Sequence, residues 1–358
     1  MISRILPLAI LLLVLPAAVS AQSAEPQPAE QARLVASSLL LDVTRAGQRF
    51  VAVGERGHVL LSSDGDAWEQ AESVPTRATL TRVTFAGGRL WAVGHDSVII
   101  HSRDMGRSWT LQNFEPDWEK PLLDVHFFDA NRGVAIGAYG LYMRTDNAGE
   151  DWEVFDMADL VTSEAIDWEE AAQAAAELDS REGNDEMLGL DDELYDPAAD
   201  FDRGCYEFME CHLNAFLDLG DGRWMIAAER GYGFRTVDGG ENWESFRFPY
   251  PGSMFGLLDI GDGSVLAFGL RGNVQLSNDF GSSWALLDSP LESTLMGGDM
   301  SPEGRPFMVG AGAARLSYDP RSQRFEYEED RLGSTYAAVL FLDDGSKIIV
   351  GEDGVSHD

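Results

Sequence analysis

The chain has 358 residues, 61 acidic against 26 basic, and a formal net charge of −35. Such a balance repels a phosphate backbone and excludes nucleic acid as a partner class, while favouring solubility. Length alone would allow two domains, but an internal repeat accounts for nearly all of it.

Residues 1–21 carry Arg4, an apolar run from Ile5 to Val14 interrupted by Pro7, and the ending Val19-Ser20-Ala21. A short apolar run with small residues at −3 and −1 is a secretory signal, too short to remain as a spanning helix. The mature chain is expected to begin near Gln22, without a transmembrane span, in a periplasmic or equivalent lumenal space. Residues 22–32, with Pro26 and Pro28 among small polar residues, read as a linker. Arg33 to Ser37 then reads as a strand ahead of the first unit, placed to complete the last one.

From there an eight-residue phrase, S-x-D-x-G-x-S-W, returns at a nearly fixed interval. Ser102 to Trp109 and Ser277 to Trp284 fit it without a mismatch; Thr236 to Trp243 fits with Thr and Asn for the two serines. Thr145 to Trp152 has Asn147 in place of Asp, Ser62 to Trp68 is one residue short, and Ser317-Tyr318-Asp319 leads to Phe325 with Gly and Trp lost. The aromatics at 68, 109, 152, 243, 284 and 325 give steps of 41, 43, 91, 41 and 41. A small-residue pair precedes each aromatic, from Val53-Gly54 to Val309-Gly310, and Val350-Gly351 adds a seventh.

A period of about 40 residues holding four short strands is that of propeller blades. In the third unit these are Leu122 to Phe128, Gly133 to Gly137, Leu141 to Arg144 and Trp152 to Phe155. We letter them A to D from the axis outward. A lone blade cannot cover both of its faces; a closed ring of blades covers them and leaves only short edges. The expected fold is an all-β, seven-bladed propeller over 33–358, in four-stranded antiparallel blades closed by the N-terminal strand.

Within the phrase every residue type has a structural reason. Gly takes a positive φ, Asp and Ser bond turn backbone, and Trp fills the space between blades. Asp64, Asp104, Asn147, Asp238 and Asp279, with Trp68, Trp109, Trp152, Trp243 and Trp284, are therefore structural and not catalytic.

This phrase is the Asp box of the BNR-like repeat propellers. Together with the LLDVxF-type strand and the xVGxxG turn, the unit resembles the photosystem II stability/assembly factor family and its bacterial relatives, over about 35–358 apart from 157–210. The resemblance implies a protein-binding platform, without cofactor, serving an envelope or membrane protein complex, and an arginine-bearing face as its binding surface.

The step of 91 marks an insert of roughly fifty residues, 157–210, in the D–A connection between blades 3 and 4. Ser163 caps an expected helix to Leu178, and 184–202 is dominated by Asp and Glu. Cys205 and Cys211, the only cysteines, suit a small disulfide loop in an exported protein. With His212 they match no zinc spacing, so no metal is assigned.

D–A and B–C connections share one face of such a disc, so the insert shares a face with the B–C turns. Those turns place Arg56, Arg230 and Arg271 at equivalent positions of blades 1, 4 and 5; Asp96, Tyr139, Gly312 and Asp353 hold the position elsewhere. The expectation is a partner-binding face around these arginines, with the acidic insert folded over it. The alternative is a sialidase-type glycoside hydrolase, whose propeller carries the same box and whose chemistry uses an arginine cluster. Against it, the family's F-R-I-P-like phrase, Phe246-Arg247-Phe248-Pro249, follows the fourth Trp and does not precede the first box.

Overall fold

The computed structural model describes residues 25–161 and 211–357. The expected signal segment, most of the acidic insert and Cys205 lie outside these residues. Seven antiparallel sheets follow one another along the chain. Their innermost A strands are Leu40–Ala46, Leu80–Ala86, Leu122–Phe127, Leu213–Asp218, Met254–Gly261, Leu295–Met300 and Tyr336–Phe341. Each A strand lies against those of the blades before and after it, and that of blade 7 lies against that of blade 1. The ring is a seven-bladed propeller.

The core lies between the blades. Seven apolar clusters correspond to the seven seams, such as Val53, Leu61, Leu80 and Trp109 between blades 1 and 2. Burying both flanks of every sheet is the main stabilising term of a repeat that exposes both when alone.

The boxes form the C–D turns as their chemistry requires. In blade 2 the Ser102 hydroxyl donates to Asp104 (2.8 Å) and accepts the Gly106 amide (2.9 Å), while Asp104 accepts both the backbone and the hydroxyl of Ser108. Trp109 is buried and its indole N–H returns to the Gly106 carbonyl at 2.9 Å. Met105 and Gly106 both have positive φ, 62° and 87°. The short box of blade 1 has lost the first of these two, keeping Gly65 at 87°. In blade 3 the substitution at Asn147 is compensated: its amide nitrogen donates to Asp151, which stands where other boxes carry the second Ser or Asn.

Two differences from the expectation concern the chain start. Leu34 to Ser38 forms no strand. Val35–Ser37 is a single 3-10 turn, with the Ser38 hydroxyl donating to Val35 O and bonding His58 Nδ1. Val35 is buried against blade 7, and the turn sits over Gly354. Blade 7 therefore shows three strands, Tyr336–Phe341, Lys347–Gly351 and Gly354–His357, with a turn and not a strand beside its outer edge. The preceding stretch lies along blade 1: Ala29 N donates to Val74 O, Gln31 to Ala71 O, and Arg77 to Pro28 O. Closure between blades 7 and 1 is reinforced by Arg45 and Asp343, 2.7 Å apart.

Of the insert, the described residues hold its two ends. Asp156 caps the short helix Met157–Leu160, accepting from Ala158 N, and Val161 then bridges to Trp243. Cys211, 3% exposed, re-enters at the seam of blades 3 and 4.

Candidate functional site

Each B–C turn is a tight reversal between two central strands. Arg56, Asp96, Tyr139, Arg230 and Arg271 stand at its tip with φ of 55°, 59°, 54°, 56° and 55°. This left-handed region is costly for residues other than Gly, Asn and Asp. Holding Arg or Tyr there lifts the side chain off the face, and all three arginines are exposed. The glycine that follows each arginine is required: a Cβ on Gly57, Gly231 or Gly272 would meet the carbonyl of Thr76, Tyr250 or Leu291 within 2.0 to 2.7 Å. The tip is thus seated against the neighbouring D–A loop, and only its long side chain is free to move.

The three arginines are not equivalent. Ring order sets Arg230 and Arg271 on adjacent blades and Arg56 three blades from either, across the channel. Arg56 has Glu55 at 3.9 Å. Neither Arg230 nor Arg271 is ion-paired among the described residues. The Arg230 carbonyl accepts Arg247 Nη1 at 2.7 Å, and Arg247 stacks on Tyr232 with its guanidinium 3.3 Å from the ring centroid. Burial pushes the Arg247 pKa down to about 10, still charged at neutral pH. Beside this pair, at the rim where the insert ends, Tyr139 packs edge-on against His212, whose Nδ1 lies 3.4 Å from Glu229.

The channel wall carries a charged group that the reading of turns and boxes missed. Arg82 of blade 2 reaches Asp124 of blade 3 (Nε to Oδ1, 2.9 Å) and Asp42 of blade 1 (Nη1 to Oδ1, 3.5 Å). Asp42 also accepts the Val83 amide and Asp124 the Phe216 amide, each at 2.8 Å, so one array ties blades 1 to 4. Asp299 repeats the device from blade 6 to Phe341 of blade 7. Burial pushes the Asp42 carboxyl up to about 6 against the pull of Arg82, while Asp124 and Asp42 push the Arg82 pKa up. The signal was present: Leu-Leu-Asp-Val occurs at 40–43 and 122–125, with Leu-Thr-Arg-Val at 80–83 between them.

The boxes lie on the opposite face and their carboxylates are occupied. Backbone amides of Ala67 and Asp66 hold the Asp64 pKa below the ordinary range, and Ser283 does the same for Asp279. Phe246 and Arg247 lie in and at the end of the outer strand Glu244–Arg247, away from the channel. Arg82 is engaged by two carboxylates. The described residues thus give the sialidase alternative no converging arginine cluster, and no group of three His, Cys, Asp or Glu side chains among them is gathered for a metal.

Comparison with known proteins agrees with this geometry. The model of the family "Photosynthesis system II assembly factor YCF48" matches residues 21–118. "Photosystem II assembly lipoprotein Ycf48" from Synechococcus sp. (strain CC9902) is 25% identical over 279 residues, covering 73% of this chain and 78% of that protein. Over residues 21–118 this seven-bladed propeller is similar to the photosystem II assembly factor family. Among solved structures, "YCF48 bound to D1 peptide" superposes with a TM-score of 0.63 at 17% identity, covering 94% of this chain and 98% of that one. YCF48 from Cyanidioschyzon merolae gives 0.62 at 16%, covering 93% and 98%. A streptogramin B lyase gives 0.64 at 11%, covering 90% and 95%. At these identities the superpositions establish the ring alone, and the lyase shows that the ring by itself does not decide between binding and catalysis. The Synechococcus relative is titled a lipoprotein, whereas the two cysteines of this chain stand at 205 and 211. No helix among the described residues is long and apolar enough to cross a membrane.

Proposed function

We propose that the chain is a non-catalytic, exported platform that binds a polypeptide of a membrane-associated complex and serves that complex's assembly or stability. It acts as a monomer in the periplasm or an equivalent lumenal space, and Arg230 and Arg271, with Arg56 across the mouth, contact the partner. The observation that carries this reading is the bare arginine pair. In a chain of net charge −35, two exposed arginines sit on adjacent blades in a strained backbone conformation without carboxylate partners among the described residues. The same φ at Asp96 and Tyr139 belongs to the turn, so what points to use is the exposed guanidinium that the turn presents on blades 4 and 5.

The relatives support the class of partner, since one is titled an assembly lipoprotein of photosystem II and another was solved with a D1 peptide. An acidic segment, or the carboxylate at a chain end, suits two forked guanidinium groups. The pairing of Cys205 with Cys211 belongs to the same proposal and would fix the exit of the insert beside this face.

Affinity capture from detergent-solubilised membranes of the host, with the wild-type chain and an Arg230→Gln/Arg271→Gln variant as baits, tests the reading. The wild type is expected to retain subunits of one membrane complex that the variant loses. Equal retention by both would remove the arginine face from the proposal.

A further inference from the structure

The seam between blades 6 and 7 differs from the other six. Among the described residues its buried apolar core is three residues, Val309, Val339 and Ile349, with the half-buried Phe307 and Tyr336 against them, where the other seams bury between eight and fourteen. Six blades have a D strand. Among the described residues, the blade 7 C strand Gly354–His357 is hydrogen-bonded on one side only. The N-terminal turn covers its first residue: the Ala36 carbonyl lies 1.9 Å from where a Cβ on Gly354 would stand. Val355 and Ser356 beyond it are half-buried.

A cleft of about 290 Å³ opens on the same seam. It is lined in part by Tyr336 and Val355, and the charged side chains in its wall, Asp330, Glu352 and Asp353, are all acidic. Glu352 accepts the Thr335 amide and Asp353 the Ser334 hydroxyl, which holds both carboxylates in place. An unpaired strand edge beside an underfilled apolar seam is a template for an added strand.

We propose that this edge accepts a fourth strand from a partner polypeptide, an extended β-branched segment ending in Arg or Lys. The polarity follows from the ring. Every D strand in blades 1 to 6 runs antiparallel to its C strand. A strand added to Gly354–His357 in that sense finishes at the B–C face, where its C-terminal end meets Asp330, Glu352 and Asp353. Its apolar residues alternate into the thin seam, and its basic end supplies the charge that the acidic cleft lacks. Outer strands elsewhere in this ring are only two to five residues long, so a three-residue edge is sufficient. The inference does not depend on the arginine face.

Hydrogen exchange on the full chain tests it, with the blocked peptide acetyl-Thr-Val-Thr-Val-Arg-Lys-amide as probe. In the free protein the amides of Val355–His357 that alternate away from Lys347–Gly351, towards the open edge, should exchange at least tenfold faster than the outward-facing amides of the equivalent strand Val274–Ser277, which has an outer neighbour. The probe should slow them at least tenfold. The same peptide ending Glu-Glu, or carrying Pro at its fourth position, should not. A Glu352→Gln/Asp353→Asn variant, which keeps both acceptor oxygens, should weaken the basic-ended probe about tenfold at low salt and leave a peptide ending Ser-Ser unchanged. Slow exchange in the free monomer would mean that the chain fills its own edge, and protection that rises with protein concentration would mean a second copy does. Either outcome, or equal protection by basic and acidic probes, overturns the proposal.

Discussion

The two faces of the disc use the same backbone conformation for opposite ends. On the box face, Met105, Ala148 and Phe280 take positive φ, at 62°, 66° and 57°, ahead of a glycine. Their turns are closed by the side-chain oxygens of Asp104, Asn147 and Asp279 accepting backbone amides, and a tryptophan follows each turn, Trp109 dropping into the seam below. On the other face Arg56, Arg230 and Arg271 take the same φ, also ahead of a glycine, yet the side chain is offered to solvent. Similar strain is balanced locally on the first face and left exposed on the second. On the proposed reading, folding rests on one rim and recognition on the other, and mutations should separate the two.

The largest separation is expected at Trp109. Trp109→Ala removes a 5%-exposed indole from the seam of blades 1 and 2 and should cost about 3–5 kcal/mol in denaturant unfolding. Arg230→Gln/Arg271→Gln should change stability by less than about 0.5 kcal/mol, because neither side chain is ion-paired among the described residues. The same change should weaken partner binding at least about tenfold, read by titration calorimetry once capture has identified the partner. A double arginine variant that unfolds as readily as the tryptophan variant would erase the division between the rims.

Next in size is the channel array, which belongs to neither rim. The Asp42 pKa lies near 6, above its unfolded value of 3.8, so the native state binds a proton more tightly than the unfolded chain. Its contribution to stability is fully present below about pH 4 and is lost as pH rises through 6, a span worth up to about 3 kcal/mol. His58, His101 and His126 act in the opposite sense, since burial lowers their pKa values and each destabilises the fold as it is forced to charge in acid. The Asp42 share is isolated by comparison with Asp42→Asn. From pH 7 to pH 5 the wild type should gain stability relative to the variant. Parallel Tm profiles for the two chains would show that Arg82 keeps Asp42 ionised throughout.

How much of this was legible beforehand follows from where the periodicity lay. Spacing of the tryptophans and of the Val-Gly pairs fixes the blade count, because both recur whatever fills the positions between. The B–C tips could be aligned by the same spacing, which places Arg56, Arg230 and Arg271 at equivalent turns. Their division into a pair and a distant single depends on ring order, which puts blade 1 three steps from blades 4 and 5. Arg33 to Ser37 misled because Leu34 and Val35 make a short apolar run. The local bond from the Ser38 hydroxyl to Val35 O closes a turn there instead, and local side-chain bonds of this kind compete with strand formation. The Asp42–Arg82–Asp124 array went unread because each member occupies the third position of an A strand, where strand identity conceals a difference in charge between neighbouring blades.

The smallest expected effect probes the box face where blade 3 carries Asn147 in place of Asp. In blade 3 Asn147 accepts the Asp151 backbone amide through Oδ1 and donates from Nδ2 to the Asp151 carboxylate, both at 3.0 Å. Blade 2 does the reverse, with a hydroxyl of Ser108 donating to the carboxylate of Asp104. The two positions thus exchange the charge while keeping one donor and one acceptor. Asn147→Asp alone sets two carboxylates at hydrogen-bond distance on an exposed turn, and should cost about 0.5–1 kcal/mol at neutral pH and low salt. Asp151→Ser alone replaces the charged acceptor of the Asn147 amide with a neutral and shorter hydroxyl, at a similar cost. Made together they give Thr145 to Trp152 the form T-x-D-x-G-x-S-W, and the double variant should match the wild type, giving a coupling of about 1 kcal/mol in a double-mutant cycle. Additive losses would mean that the box tolerates charge at either position and that its recurrence reflects backbone shape alone.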